Sequence, residues 1–539
     1  MSDSIQKKTV RILLLLSLVY FIKFIPPNMA ASQNIEMVSI FEPDEAVPLP
    51  YVFNMIRPAD SLKNALIQFF FYKYYFYGFP HFAYSAAVLF PLQWFNQLNN
   101  TPLVMVVLRQ MVSLLPLLAA IWIIVYLQTR FKGYRAVLLF IFLVSLPAVL
   151  TNNFWWHPDG LAILFAMLAI FFLERDDLRL GKNYYFSAAM CGISAATKGI
   201  GFYFFLTIPI YLAVGLISKK AAWKKTALSA LGFIVCMALA YLLVNPTLIY
   251  PSVRERYFKV MISQSELLSQ GYEVEYPKGI LTAVPQMVND FGTLPFLILT
   301  VVACVRSMVR DQKRLLHLII LTWAIPITVF IFFLIHYKFQ YWLPVALPLF
   351  STVINFFPEK FPLDLKNIKL QKNKWLSLIA ILIVMFQLFL NLNQDVRLYR
   401  AQLNREKNAS AIRFHERVMQ VLSPLPQVKG GYHLYHDVRM YMPECLEWYC
   451  EASFEMLDYE YMQSKRFDII LLSQQRIYDY LDPDTIALDA GQLTSSQAFY
   501  RDAQRGNIKG YYLIYRDKYG LVFIRSRLYQ YYFQAANAR

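Results

Sequence analysis

Residues 313–357 read KRLLHLIILTWAIPITVFIFFLIHYKFQYWLPVALPLFSTVINFF. Two basic residues are followed by an apolar run from 315 to 335 that contains no Asp, Glu, Lys or Arg. A short aromatic hairpin around Lys338 then leads into a second apolar run that contains Pro344 and Pro348 and no charged residue. About 20 apolar residues in a helix cross about 30 Å of hydrocarbon, and within that layer the backbone must satisfy its own hydrogen bonds. Two such runs with no soluble segment between them predict a helical hairpin in a membrane.

The same pattern recurs along the chain. Apolar runs near 10–26, 104–128, 136–151, 160–173, 184–198, 199–217, 226–247, 292–306, 315–335, 341–357 and 375–391 predict about eleven spans. Composition agrees: of 539 residues 57% are hydrophobic, 17% aromatic and only 16% charged, where a soluble domain carries nearer a quarter. The net charge of +17 does not predict a nucleic-acid partner, because its cations concentrate in short gaps between runs. With the N-terminus inside, the basic gaps are Arg130, Lys132 and Arg135; Arg175, Arg179 and Lys182; Lys219, Lys220, Lys224 and Lys225; Arg306, Arg310, Lys313 and Arg314; and Lys360, Lys366, Lys369, Lys372 and Lys374. Every second gap is basic, as the positive-inside rule requires.

That alternation settles two ambiguities. Lys7, Lys8 and Arg11 precede an apolar stretch that resembles a signal peptide, but Pro26 and Pro27 follow without a small-residue cleavage site, so it reads as a retained span. The run from His81 to Gln97 is apolar enough to cross, yet counting it would put the later basic clusters outside; it reads as an interfacial or re-entrant helix. The segments expected outside are 27–103, 151–159, 248–291 and everything after about 392.

Residues 392–539 change to mixed charge and shorter periodicity, which predicts a soluble α/β domain after a membrane domain of 1–391. Phe467–Ser473 reads as a strand, and Tyr511–Arg525 as a hairpin turning at Asp517, Lys518, Tyr519 and Gly520. Cys191, Cys236 and Cys304 lie in apolar runs and read as buried fillers. Cys445 and Cys450 lie in the exported domain, where an oxidising compartment would pair them. There is no internal repeat and no Walker, Rossmann or zinc-finger pattern.

The candidate chemistry sits in the outer loops. Phe41-Glu42-Pro43-Asp44-Glu45-Ala46 places adjacent carboxylates just beyond the first span; they are either a solvated acidic run or a base able to take an acceptor's proton. Trp155-Trp156-His157-Pro158-Asp159-Gly160 fills a very short loop, so Asp159 is either a helix N-cap or a carboxylate in a wet cavity. Ala196-Thr197-Lys198-Gly199 turns tightly between two spans on the side that otherwise lacks cations. Lys198 is there either snorkelling or holding an anion. His336-Tyr337-Lys338-Phe339-Gln340-Tyr341-Trp342-Leu343-Pro344 is a second tight outer hairpin, either an aromatic belt or part of a phosphate cradle. His81 after Tyr77-Gly78-Phe79-Pro80 reads as an interfacial histidine, and with Glu45 alone it makes no metal site.

In order, a carboxylate pair after span one, a G-x-P segment before an amphipathic run, Arg109 opening the next span, an outer HPD, a TK-G hairpin and a K-x-x-Y-W-L-P hairpin resemble the GT-C superfamily of membrane glycosyltransferases. The branch is similar to the protein O-mannosyltransferases and lipid A aminoarabinose transferases, over roughly residues 10–357. The resemblance implies Asp44 as catalytic base with Glu45 completing the pair, Asp159 as the second-loop aspartate, and Lys198, Lys338, Tyr341 and Arg109 around the donor phosphate. His81, His157 and Tyr337 are expected to line the substrate cavity. Two departures matter: Phe79-Pro80-His81 replaces the usual basic residue before a double proline, and the loop 248–291 is too short for a large inserted domain, which points to a bacterial type in an inner membrane with a periplasmic C-terminal domain.

The expected activity is transfer of a sugar from a polyprenyl-phosphate carrier to an acceptor hydroxyl on lipid, glycan or protein. A divalent cation stays open as a cofactor. A flippase of lipid-linked sugars would share the spans but more often shows mid-span ionisable residues and paired repeats. A non-enzymatic assembly protein would leave the outer acidic motifs without a role.

Overall fold

The computed structural model describes residues 2–271, 274–310, 313–359, 372–453 and 456–537. Of the last basic gap, Lys360, Lys366 and Lys369 lie outside the described residues, as do the side chains of Lys372 and Lys374. By contacts the chain forms two compact units: Met1–Met29, Pro48–Ser265 and Pro277–Leu403; and Ala30–Val47, Glu266–Tyr276 and Asn404–Arg539.

The first unit is helical. Among the described residues six helices are long and apolar enough to cross a membrane, seven if a bent pair is one span: Ser4–Met29, Thr101–Thr129, Gly199–Ile217, Trp223–Leu243, Arg314–Phe333, Trp375–Leu403 and the pair Ile280–Phe291 with Leu294–Val309. The remaining expected runs fall on shorter or more polar helices, among them Tyr134–Val144, Asp159–Asp176, Lys182–Thr197 and Phe339–Ser351. The run expected at the interface forms the helix Phe79–Trp94, about 24 Å long at 1.5 Å per residue and short of a full span. It buries Phe82, Ser85, Ala86 and Leu89, and leaves Phe90 and Trp94 exposed.

Three local irregularities depart from straight spans. Arg109–Leu114 is a π-turn inside Thr101–Thr129. Gly199–Thr207 opens its span as a 3₁₀ helix. The pair Ile280–Phe291 and Leu294–Val309 bends by 85° at Gly292, whose φ of +127° suits glycine. Gln387 fixes the bend: its Oε1 accepts from the Thr293 N–H at 2.9 Å and the Thr293 hydroxyl at 2.8 Å, and a Cβ on Gly292 would lie 2.6 Å from its Nε2. The segment 248–291, expected to lie outside, is itself largely helical, with Pro251–Gln270 preceding Ile280–Phe291.

The second unit carries a five-stranded sheet in the order β2-β1-β3-β5-β4, with β1 His433–Asp437, β2 Tyr449–Ser453, β3 Ile469–Ser473, β4 Tyr511–Arg516 and β5 Gly520–Arg525. β1 is parallel to β2 and β3, while β5 is antiparallel to β3 and β4. The expected hairpin is β4–β5, and Asp517 makes its turn by accepting the Tyr519 and Gly520 N–H groups at 2.7 and 3.0 Å. β1 and β2, HLYHD and YCEAS, lack the apolar signature of strands; β1 owes its place to burial and pairing, and β2, the exposed edge strand, to its pairing with β1. The buried Asp437 ties β1 to β3 by accepting the Ser473 N–H at 2.6 Å.

Cys445 and Cys450 are disulfide-bonded just ahead of and within β2. A ring this small should add only about 2 kcal/mol on the loop-entropy model. Intact-mass analysis under non-reducing conditions is therefore expected to find this pair oxidised. The Cys445→Ser/Cys450→Ser double variant should lose a few degrees of thermal stability and keep its fold.

Candidate active site

The site is built by three backbone approaches in the first unit. The His157–Gly160 turn leads into the helix Asp159–Asp176 and docks on the π-turn. There the Ser113 Oγ accepts the His157 N–H at 3.0 Å and donates to the His157 carbonyl at 3.2 Å. Gly160 allows this approach, since a Cβ there would stand 2.3 Å from the Ser113 carbonyl oxygen. The Gly78 N–H donates to the Thr197 carbonyl at 3.1 Å, and a Cβ on Gly78 would fall 1.5 Å from the Ala196 carbonyl oxygen. Gly201 packs as closely on Ser194 and Ala195, which tightens the hairpin that presents Lys198.

These approaches bring a chain of polar side chains together. Lys198 Nζ lies 2.6 Å from Asp159 Oδ1, with the two side chains 12% and 1% exposed. His157 Nδ1 bonds to Asp159 Oδ2, and His157 Nε2 meets the Tyr77 hydroxyl at 3.0 Å. The Trp155 ring stacks on His157 with centroids 4.4 Å apart and planes 3° apart. The Lys198 ammonium also lies over the Tyr341 ring, 4.8 Å from its centroid. Asp159 opens its helix, but its carboxylate makes no cap bond and is spent instead on Lys198 and His157. Asp159 is thus neither a helix cap nor a carboxylate in a wet cavity, but a buried one paired with Lys198 and His157.

The other candidates are placed as follows. His81 is fully buried, stacked on Trp156 at 5.2 Å, and neither ring nitrogen has a hydrogen-bond partner. Arg109 is fully buried in the π-turn and donates to the Asn28 carbonyl at 2.7 Å. Tyr337 is buried and donates to Asp290 Oδ2 at 3.0 Å, while Lys338 is half-buried at the start of the helix Phe339–Ser351. Asp44 and Glu45 belong to the second unit. They share the short helix Pro43–Ala46, with Asp44 exposed and Glu45 buried, and within that unit Arg405 reaches Glu42 at 3.3 Å and lies over Phe41 at 4.7 Å. Among the described residues no three His, Cys, Asp or Glu converge as a metal site. Tyr77 was not singled out by sequence; its one signal was Gly78, a glycine placed just ahead of a helix-opening proline.

A buried ion pair is a poor way to gain stability, because two well-packed apolar side chains would serve as well. Here it holds a cation, desolvated and on an aromatic face, next to an imidazole and a phenol. Such an arrangement is suited to binding an anion and moving a proton beside it.

The model of glycosyltransferase family 87 matches residues 82–336, a stretch that includes His157, Asp159 and Lys198. No curated protein sequence matches the chain. Among solved structures it is similar to ArnT from Cupriavidus metallidurans bound to undecaprenyl phosphate, with TM-score 0.53, 13% identity and 95% of this chain covering 97% of that one. It is also similar to the apo state of the same protein, with TM-score 0.50, 14% identity and the same coverage. A further match is the archaeal oligosaccharyltransferase AglB from Archaeoglobus fulgidus, with TM-score 0.45, 12% identity and 86% of this chain covering 69% of that one. The chain has a GT-C-like fold, as the order of its sequence motifs led us to expect.

Proposed function

We propose that this GT-C-fold chain is a glycosyltransferase that moves a sugar from a polyprenyl-phosphate carrier to an acceptor hydroxyl on the non-cytoplasmic face of a membrane. The observation that carries this reading is the buried Lys198–Asp159 pair, seated on Tyr341 and joined to His157. Asp159 orients Lys198 and offsets its charge until an anionic phosphate arrives. The undecaprenyl phosphate bound to the ArnT relative supports a polyprenyl phosphate as that anion.

The reaction is a single inverting displacement. The acceptor O–H bond breaks as Asp44 takes the proton, the new O–C1 bond forms, and the C1–O bond to phosphate breaks with its electron pair going to the phosphate. Lys198 and Lys338 stabilise the charge that develops there. Asp44 enters through the family resemblance, and its test is given in the Discussion. Arg109 is left out of the phosphate role because its guanidinium is turned to the Asn28 carbonyl.

Substituting Lys198 tests the reading. Lys198→Ala is expected to weaken undecaprenyl phosphate binding by roughly ten- to hundredfold, the range of a charge-assisted contact, and Lys198→Arg to weaken it less. Since Lys198→Ala leaves the buried Asp159 carboxylate short of a partner, the Lys198→Ala/Asp159→Asn double variant serves as its folded counterpart. Unchanged binding in both would remove Lys198 from the phosphate site.

A further inference from the structure

Asp290 and Phe291 end the helix Ile280–Phe291, and Gly292, at φ +127°, turns the chain sharply after them. This corner grips the hairpin 336–344 at two points. The Tyr337 hydroxyl donates to Asp290 Oδ2 at 3.0 Å, and the Phe291 ring meets Trp342 edge to face with centroids 4.9 Å apart. Tyr337, Phe291 and Trp342 are all buried, and the stretch from Lys338 to Tyr341 is held between them. Tyr341 is where the grip reaches the candidate site: its ring centroid lies 4.8 Å from the Lys198 ammonium, which also pairs with Asp159. Resting on the glycosyl-transfer reading above, we propose that Asp290 is a positioning residue for the phosphate. Through Tyr337 it fixes the hairpin so that Tyr341 seats Lys198 where the anion is bound.

A lysine ammonium ends a flexible four-carbon stem, so holding it costs rotamer entropy and a single partner does not fix its direction. Asp159 supplies one partner from the start of its own helix, and the face of Tyr341 supplies a second from a different hairpin. The first is set by the close approach of Gly160 to Ser113. The second is only as well placed as the hairpin that carries it. A shift of about 1 Å in a group that binds the reacting centre is enough to matter, so whatever anchors the hairpin bears on the phosphate site.

The corner is itself tied down on both sides of the bend. Gln387 and Gln394 lie two turns apart on one face of the helix Lys372–Leu403. Gln387 Oε1 accepts the Thr293 N–H and hydroxyl just after the bend, at 2.9 and 2.8 Å, and Gln394 Nε2 donates to the Asn289 carbonyl just before it, at 3.0 Å. Asn289 Nδ2 donates in turn to Asp290 Oδ1 at 3.3 Å, while Oδ2 receives Tyr337. A phenol on a carboxylate is a charge-assisted bond that sets direction as well as distance, which ring packing of Phe291 on Trp342 does not. The rest of the hairpin is held from elsewhere: His336 Nδ1 bonds to the Pro277 carbonyl at 3.1 Å, and Trp342 Nε1 donates to Thr328 Oγ1 at 2.9 Å. The Asp290 bond lies between these two, next to the residues that matter for Lys198.

The test is a double-mutant cycle on the full chain in nanodiscs, with undecaprenyl phosphate as the probe. Asp290→Ala removes the acceptor, and Tyr337→Phe removes the hydroxyl while keeping the ring. Each is expected to weaken undecaprenyl phosphate binding and raise the donor KM by about tenfold, the worth of one charged hydrogen bond, with a smaller change in kcat. Asp290→Asn keeps an oxygen for Tyr337 and should lose less. In the Lys198→Ala/Asp159→Asn background the loss from Asp290→Ala should shrink by more than about twofold, because a residue that acts through Lys198 has nothing left there to position. A merely structural role would cost the same in both backgrounds. Should Asp290→Ala fail to fold, Tyr337→Phe takes its place in the cycle. Unchanged binding in folded Tyr337→Phe, or losses that agree within about twofold in the two backgrounds, would overturn the proposal alone. A wild-type protein that binds no undecaprenyl phosphate would overturn the glycosyl-transfer reading beneath it.

Discussion

Asp44→Asn is expected to lower kcat by about 10²- to 10⁴-fold while the protein folds and binds its donor, because the amide keeps the shape of the carboxylate but cannot take the acceptor's proton. The effect should sit in kcat, since the phosphate is assigned to other residues. Asp44 is exposed in the helix Pro43–Ala46, so its substitution leaves no buried group unpaired. Glu45 is fully buried beside it, so Glu45→Gln tests support for the fold more than chemistry and should lower kcat less. Steady-state turnover of monodisperse Asp44→Asn against a polyprenyl-phosphate sugar checks this, and near-normal turnover would remove Asp44 from the reaction.

Gly78→Ala is expected to cost about a hundredfold or more in turnover, the scale associated with misplacing a reacting group by about 1 Å. The added methyl would lie 1.5 Å from the Ala196 carbonyl oxygen and 3.1 Å from the Thr197 Cα, both backbone atoms that no side-chain rotation can clear. One of the two segments must move. Either movement breaks the Gly78–Thr197 bond and separates Tyr77 from His157 or Lys198 from Asp159. Gly199→Ala is the control next to Lys198, because its methyl meets only the flexible Met261 Cε at 3.4 Å. Equal turnover in the two variants would show that the close approach at Gly78 does not set the site.

The fold class and the longest spans were legible because lipid leaves a helix no alternative to continuous apolar sequence; of the eleven runs expected, six fall on helices long and apolar enough to cross among the described residues, and a seventh on the bent pair. Segments governed by pairing rather than composition were not. β1 and β2 are polar strands placed by pairing, β1 on β3 and β2 on β1, and the bend at Gly292 needs Gln387, nearly a hundred residues away. For the candidate site, the motifs pointed to His157 with Asp159 in one short loop and to Lys198 and Tyr341 in two separate hairpins. That Asp159 binds both Lys198 and His157 follows from the packing of the helix Asp159–Asp176 on Lys182–Thr197, which no local pattern encodes. Tyr77 gave no signal of its own, because a tyrosine in an aromatic-rich loop looks like any interfacial aromatic.

The most direct measurement is transfer of label from a polyprenyl-phosphate sugar by the purified wild-type protein in lipid, with undecaprenyl phosphate binding measured in parallel for wild type and Lys198→Ala. The account predicts release of polyprenyl phosphate with inversion at C1 when the acceptor is supplied, and saturable undecaprenyl phosphate binding that Lys198→Ala weakens at least tenfold, as loss of a charged contact should. Absence of any saturable undecaprenyl phosphate binding by the wild-type protein would contradict it.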